Sequence, residues 1–192
     1  PGGGSTTMTI ALSVGAASMS IYFWFPFVPL YLLEIGAASD AEAAFWVAAG
    51  LTGQGTGRLV AGPLWGMLSD RVGRKKMFVR ALGCSGTITL LLWFIHAPWQ
   101  FVGIMLLQGA FSGFNPAAVA LASVSVPDSR MKSTLSMVTG GQYVGAAIGP
   151  AIGAGLALWV GFRGAALISG LLVILVAVAV VLLVPTDRIA TK

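Results

Sequence analysis

Long runs of apolar residues alternate with short polar segments along this chain. Each of six runs is roughly the 20 residues that an α-helix needs to cross a bilayer core about 30 Å thick. A transmembrane β-barrel would instead show segments of about ten residues with alternating polarity, which this sequence lacks. The pattern predicts an all-α integral membrane protein with six transmembrane helices. They cover residues 9–33, 44–64, 77–95, 100–124 and 134–159, and the sixth ends near Val184.

Composition supports a membrane protein and argues against other classes. Hydrophobic residues make up 57% of the 192 residues and the mean hydropathy is +0.90, whereas soluble domains contain about 45–50% apolar residues. The sequence has no Ser-His-Asp set, no metal-ligand spacing and no phosphate-binding glycine loop, so we expect neither an enzyme nor a metal or organic cofactor. Cys84 is the single cysteine, which excludes a disulfide within the chain.

The basic residues lie mostly at one side of the predicted bundle. Nine of the eleven Lys and Arg residues share a side, one lies opposite, at Arg163, and Arg58 falls inside the second predicted helix. Such an excess marks the cytoplasmic side, so we predict a multi-pass membrane protein with both termini cytoplasmic. Topology alone explains the net charge of +5, and nucleic acid is not an expected partner. The nine residues are Arg71, Arg74, Lys75, Lys76, Arg80, Arg130, Lys132, Arg188 and Lys192.

The domain organisation follows from these segments. We predict a flexible N-terminal lead over residues 1–8, a six-helix bundle over residues 9–185 and the start of a cytoplasmic linker over residues 186–192. The chain begins at Pro1 rather than Met, and we expect it to be part of a longer protein.

A dense polar stretch separates the second and third predicted helices. Its residues are Gly66, Leu68, Asp70, Arg71, Gly73, Arg74 and Lys75. Gly66 permits close approach of a neighbouring helix, Gly73 permits the positive φ of a sharp turn, and Asp70 can cap a helix or pair with a cation. An ordinary cytoplasmic loop would explain the basic residues but not the ordered Gly, Leu, Asp and Gly.

This stretch resembles the signature G-x-L-x-D-R-x-G-R-K of the major facilitator superfamily, which follows the second helix of that fold. The resemblance covers nearly the whole chain and implies the N-terminal six-helix half of a transporter, built as a 3+3 inverted repeat. It also implies a conformational latch in which Asp70 engages a helix end of the other half. Arg74 would join a charge relay, with Asp128 as the candidate acidic partner.

Glycines recur at intervals of four in the fifth predicted helix. They are Gly141, Gly145, Gly149 and Gly153, with Pro150 after the third. This spacing puts them on one face, where any membrane bundle can pack two helices closely. The pattern also resembles the antiporter motif G-x-x-x-G-P-x-x-G-G of the drug/proton branch of the superfamily, with Ala154 replacing the last glycine. That resemblance implies packing against a helix of the second half, a location in the bacterial inner membrane and export driven by protons.

Proton coupling is the least complete part of the resemblance. Met105 stands where the family pattern R-x-x-Q-G has its basic residue, and Glu34 and Asp40 lie at the outer edge of the predicted helices. A proton carrier needs a titratable group in its pathway. We therefore expect the coupling carboxylate in a half not present in this chain, or Glu34 acting from the rim.

A few polar and aromatic residues are candidates for a substrate cavity. Arg58 lies about 18 Å along a helix from Asp70, with Gln54 one turn away. The pair can attract an anionic or hydrogen-bonding substrate, or Arg58 can pair with carbonyls or with a carboxylate of the missing half. Asn115 lines the cavity or satisfies the backbone broken by Pro116. Tyr22 offers a stacking surface or packs in the core.

Together these features predict a secondary active transporter, or its N-terminal half, that exports small lipophilic molecules or drugs by proton-coupled, rocker-switch alternating access. The partners would be membrane lipid, a small-molecule substrate, and either the missing C-terminal half or a second copy. Two alternatives remain, namely an uptake symporter or uniporter of the same superfamily, and a membrane subunit or remnant that does not transport.

Overall fold

The computed structural model describes residues 3–184, without the side chains of residues 3–5 and of Asp128. Seven α-helices hold most of these residues and none of them is in a strand, so the all-α prediction is confirmed. The predicted linker at residues 186–192 lies outside the described part. The helices are α1 (Gly3–Tyr22), α2 (Val28–Glu34), α3 (Asp40–Val72), α4 (Arg74–Leu90), α5 (Pro98–Phe111), α6 (Phe114–Val124) and α7 (Asp128–Leu183). Short 3₁₀ turns follow α1 at Phe25–Phe27 and α4 at Leu91–Phe94.

Two prolines explain where predicted helices are divided. A proline cannot donate the backbone hydrogen bond to the carbonyl four residues earlier. For Pro26 that carbonyl belongs to Tyr22, the last residue of α1, and the chain turns before α2. For Pro116 it belongs to Ser112, which separates α5 from α6. The first predicted helix therefore comprises α1 and α2, and the fourth comprises α5 and α6.

Two elements extend beyond their predicted bounds. Helix α1 begins at Gly3, so residues 3–8 are helical and do not form the flexible lead that we expected. Helix α3 continues through Pro63 to Val72, eight residues past the predicted end at residue 64. Both helices are longer than predicted because polar residues at a helix end stay helical where the backbone hydrogen bonds of the helix continue.

Helix α7 consists of two arms that meet at Gly161, where φ is 69° and ψ is 176°. Its first arm contributes Val138 and its second arm contributes Val180 to one apolar cluster, which also holds Ile10 and Phe78. Phe162, at the turn, belongs to a second cluster with Trp24, Tyr31, Leu92 and Phe101. The arms are therefore antiparallel, and they correspond to the fifth and sixth predicted helices.

Four helical stretches among the described residues are long and apolar enough to cross a membrane. They are Thr6–Glu34, Arg74–Phe94, Pro98–Val124 and Ser129–Leu183. The last has 55 residues, or about 80 Å of helix, which exceeds twice the bilayer core of about 30 Å. Helix α3, which carries Arg58, is not among the four.

Candidate functional site

The glycine face of α7 packs against α1 of the same chain. Gly141, Gly145, Gly149 and Gly153 face, in order, Ala11, Gly15, Met19 and Phe23. A methyl group at Gly141 would lie 2.5 Å from the carbonyl oxygen of Ala11, and one at Gly149 would lie 2.6 Å from that of Met19. Pro150 lies inside α7 without ending it. The close approach predicted from the spacing is present within the chain, where α1 is the partner. Packing of the motif against a helix of the second half stays a prediction, which no contact within this chain tests.

The basic motif is almost entirely helical, which corrects the predicted loop. Gly66, Leu68, Asp70 and Arg71 lie in the last turns of α3, and Arg74 and Lys75 begin α4. Only Gly73 leaves the helix, with φ 103° and ψ 141°. Its N–H still donates to the carbonyl of Ser69 at 3.1 Å, so α3 continues up to the turn. Glycine alone adopts this positive φ readily, as the sequence predicted.

Gly66 does not make the close helix contact expected of it. A methyl group there would meet no atom within 4 Å. Gly66 instead lines a small cavity between α3 and α4, where the missing side chain leaves space.

Arg74 joins the start of α4 to α3 and α6. Its guanidinium lies 3.6 Å from Oδ1 of Asp70, and donates to the carbonyl of Ala120 at 2.9 Å and to Oγ of Ser123 at 3.1 Å. The Asp70 side chain is 72% exposed, so this ion pair contributes at most about 1 kcal/mol to stability. The side chain of Asp128, the expected relay partner, lies outside the described residues.

Lys75 extends the same connection to the end of α7. Its Nζ donates to the carbonyl of Val181 at 2.9 Å. Arg74 and Lys75 thereby join α4 to three other helices, α3, α6 and α7, at one end of the bundle.

A cavity of about 380 Å³ opens among α1, α3, α5, α6 and α7. Its wall contains all four residues that the sequence proposed for a substrate cavity, namely Tyr22, Gln54, Arg58 and Asn115. They come from three helices, so only the tertiary fold brings them together. Aromatic rings form part of the same wall, contributed by Trp24, Phe25 and Phe114.

Four polar residues of this wall were not proposed from the sequence as cavity residues. They are Ser18 of α1, Gln108 of α5, Ser112 between α5 and α6, and Gln142 of α7. The available signal was an amide side chain within an otherwise apolar helix, since such groups avoid lipid and face the bundle interior.

Several polar atoms on the wall have no hydrogen-bond partner among the described residues. Trp24 Nε1, Gln108 Oε1 and Asn115 Oδ1 are buried and unpaired. Gln108 is held by its other amide atom, because Nε2 donates to Oγ of Ser85 at 3.0 Å. Asn115 makes no hydrogen bond to the described backbone near Pro116, contrary to its expected alternative role. Buried polar groups are normally paired, so one donor and two acceptors on cavity-lining residues lack their usual hydrogen bonds.

Arg58 also borders a second, smaller cavity of about 160 Å³, whose wall includes Trp65 and Arg80. The guanidinium carbon of Arg80 lies 3.7 Å from the centre of the Trp65 ring. Trp65 is held in place because its Nε1 donates to the carbonyl of Ala110 at 2.6 Å. We had assigned Arg80 to the cytoplasmic basic residues. It lies in the second turn of α4, half-buried against a neighbouring helix.

No described carboxylate lines either cavity. Glu34 ends α2 and Asp70 lies in the last turn of α3. Glu42, in the first turn of α3, accepts the N–H of Ala38 at 2.8 Å and the indole N–H of Trp46 at 3.1 Å. These two hydrogen bonds lower the pKa of Glu42, the backbone one more strongly. The cavities therefore present cationic, amide and aromatic groups to a ligand.

Comparison with known proteins agrees with this architecture. The family model described as Major Facilitator Superfamily matches residues 10–192. The multi-drug resistance efflux pump PmrA of Streptococcus pneumoniae is 32% identical over 169 residues, which are 88% of this chain and 42% of that protein. The multidrug resistance protein MdtG of Serratia proteamaculans is 37% identical over 139 residues, covering 72% of this chain and 34% of that protein.

Another relative, whose name indicates a different substrate, is the staphyloferrin B transporter of Staphylococcus aureus. It is 31% identical over 137 residues, which are 71% of this chain and 33% of that protein. The chain thus spans between 33% and 42% of the length of these three curated relatives. Since the family model covers nearly all of the sequence, the chain belongs to the major facilitator superfamily.

Proposed function

We propose that the chain forms one half of a secondary active transporter that exports small lipophilic molecules or drugs from bacteria. The observation that carries the proposal is the 380 Å³ cavity at the centre of the bundle, with unpaired polar atoms and aromatic rings on one wall. Such a mixture suits molecules that stack on rings and form a few directed hydrogen bonds. The printed names of two relatives, both multidrug resistance proteins, support the same substrate class.

In this proposal the chain crosses the inner membrane six times as a 3+3 repeat, with both termini cytoplasmic. The passes are α1 with α2, α3, α4, α5 with α6, and the two arms of α7. Helix α3 has 33 residues, or about 50 Å, which is long enough for a pass although it carries Arg58. Its glycines support burial in the bundle, since Gly50 lies against Phe101 and Gly57 against the backbone of Ala110.

A second half, or a second copy of the chain, closes the open side of the cavity. The two halves rock against each other to expose the cavity to one side of the membrane at a time. Asp70, with its exposed carboxylate, is positioned to engage that other half as a latch. Membrane lipid covers the apolar residues on the outside, of which Leu158 and Trp159 are 87% and 89% exposed.

The proton gradient is the proposed driving force, and the described part of the chain supplies no carboxylate to either cavity. The other half therefore provides the titratable group, or Glu34 does so from the rim of α2. Proton-driven export requires that dissipating the gradient stops transport.

The experiment uses proteoliposomes that contain the chain, ethidium as the fluorescent probe and an imposed pH gradient. We expect gradient-driven ethidium movement that a protonophore abolishes. Arg58→Ala should increase this movement, because it removes a positive charge that repels the ethidium cation from the cavity wall. Lys132→Gln is the matched charge control, because Lys132 is exposed and lines neither cavity. Equal transport by Arg58→Ala and wild type, with equal insertion, would remove Arg58 from the substrate pathway.

The same preparation distinguishes the alternatives. Movement that needs no gradient would favour a uniporter, and movement in the direction of the proton flux would favour a symporter. Light scattering in mild detergent, corrected for bound detergent, gives the oligomeric mass. A monomer that moves no ethidium would favour a subunit that does not transport without its other half.

A further inference from the structure

Arg58 and Arg80 both face the 160 Å³ cavity between α3 and α4. Two nitrogens of Arg80, Nε and Nη1, are buried and have no hydrogen-bond partner among the described residues. Arg58 likewise makes no hydrogen bond or ion pair with any described residue. Arg58 is exposed and Arg80 is half-buried. A cation withdrawn from water is normally paired with an anion, and neither arginine has such a partner among the described residues.

Stacking fixes the orientation of the Arg80 guanidinium. Its face lies on Trp65 at 3.7 Å, and Trp65 is itself anchored to Ala110. The N–H groups of a guanidinium lie in its plane, so stacking leaves them free to hydrogen bond. Stacked arginines of this kind favour planar or tetrahedral oxyanions, which accept two of these hydrogen bonds at once.

We propose that Arg58 and Arg80 together bind one oxyanion group, a carboxylate, phosphonate or phosphate, of the molecule that occupies the larger cavity. Arg58 lines both cavities. It can therefore contact the anionic group in the smaller cavity while the rest of the same molecule lies among Tyr22, Trp24 and Gln108 in the larger cavity. A volume of about 160 Å³ corresponds to roughly five water molecules at about 30 Å³ each, which is enough for such a group. This inference rests on the proposed function for the larger cavity as the substrate site, and it adds molecules that carry an anionic group to the substrates of that site.

Binding is tested on the purified chain in nanodiscs of phosphatidylcholine, with benzylphosphonate titrated by calorimetry. The control ligand is dimethyl benzylphosphonate, a neutral ester of similar shape. We expect binding of the anion and not of the ester. Arg58→Gln and Arg80→Gln should each raise Kd roughly tenfold or more, because each removes charge-assisted hydrogen bonds. Lys132→Gln should leave Kd unchanged.

A second arm distinguishes a soluble oxyanion from a lipid headgroup. Nanodiscs with phosphatidylglycerol added supply an anionic headgroup next to the protein. If phosphatidylglycerol raises the Kd of benzylphosphonate in the wild type and not in Arg80→Gln, the site takes oxyanions and the lipid is their source. If the lipid has no effect, the site takes them from solution.

Two results would overturn the proposal. One is equal binding of benzylphosphonate and its ester, and the other is the same Kd for Arg58→Gln, Arg80→Gln and Lys132→Gln. If Arg80→Gln does not remain monodisperse, Arg58→Gln decides the question, since Arg58 is exposed and its replacement leaves the packing intact. Calorimetry needs no transport, so failure of ethidium movement leaves this test valid, and loss of anion binding leaves export of neutral molecules untouched.

Discussion

Replacement of Gly145 by alanine tests the contact between α1 and the first arm of α7. The added methyl group would overlap the carbonyl oxygen of Gly15 and would lie 2.9 Å from the backbone nitrogen of Met19, whereas heavy atoms in good contact are about 3.5–4.0 Å apart. Both neighbours are backbone atoms, which have no side-chain torsion to relieve the clash. Helix α1 must therefore move away by on the order of 1 Å.

The expected cost combines strain and lost contact. Overpacking by a single methyl group destabilises a well-packed core by about 1–3 kcal/mol. A gap of about 0.5–1 Å also removes a quarter to a half of the dispersion energy at each contact that opens. Gly141, Gly149 and Gly153 pack against the same segment of the chain. We therefore expect Gly145→Ala to lower the free energy of unfolding by an amount at the upper end of this range, near 3 kcal/mol.

Gly140→Ala is the matched control, because a methyl group at Gly140 of the same helix would meet no atom within 4 Å. Alanine is the better helix former by about 1 kcal/mol, so this variant should be as stable as the wild type or slightly more so. Equilibrium unfolding with SDS in mixed micelles measures the free energy of unfolding of each variant, with near-UV circular dichroism of the tryptophans as the signal. Reactivity of Cys84, the single cysteine, gives a second measure during thermal unfolding.

Equal stability of Gly145→Ala and Gly140→Ala would refute the reasoning. It would mean that α1 does not lie on the glycine face in the membrane, and that this face is open to the second half, as the family resemblance first implied.

Three further changes test local features. Gly73→Ala puts a side chain at φ 103°, so we expect a loss of about 1–3 kcal/mol in the SDS titration, with Gly83→Ala, in open space, as control. Tyr31→Phe removes a buried hydroxyl that lies 3.1 Å from the carbonyl oxygen of Leu92, and should cost about 0.5–1.5 kcal/mol in the same titration. The lowered pKa of Glu42 contributes stability above the ordinary carboxyl pKa of about 4, which is lost as the pH falls through the lowered value. Melting temperatures should therefore decline more below about pH 4 in the wild type than in Glu42→Gln.

Each of these expectations has a clear contrary result. An equal loss of stability in Gly73→Ala and Gly83→Ala would mean that the turn does not need glycine. An unchanged free energy of unfolding in Tyr31→Phe would mean that water replaces the hydroxyl. Parallel pH curves for the wild type and Glu42→Gln would mean that the hydrogen bonds from Ala38 and Trp46 do not persist in solution.

The sequence identified much of the candidate cavity because membranes make polar residues informative. Gln54, Arg58 and Asn115 would be costly in contact with lipid, so they face the bundle interior, and the structure brings them to one wall with Tyr22. Ser18 carries a weaker signal, since a small hydroxyl can bond the backbone of its own helix. Whether these residues bind substrate stays a prediction for the transport and binding assays.

Other features of the site required the fold. The basic motif was predicted as a loop because its residues are polar, yet the backbone remains helical up to Gly73. Arg80 was counted with that loop, and only the position of Trp65 across the helix interface shows that its guanidinium is stacked inside.

The sequence by itself determined the all-helical membrane architecture, the turn at Gly73 and the membership of the superfamily. These depend on local properties, namely hydropathy over about 20 residues, proline's missing N–H and glycine's access to positive φ. The tertiary structure alone decided that α1 covers the glycine face of α7 and that Arg58 and Arg80 share a cavity. Such pairings join residues 22 or more positions apart, and they depend on how whole helices fit together, which no local pattern specifies.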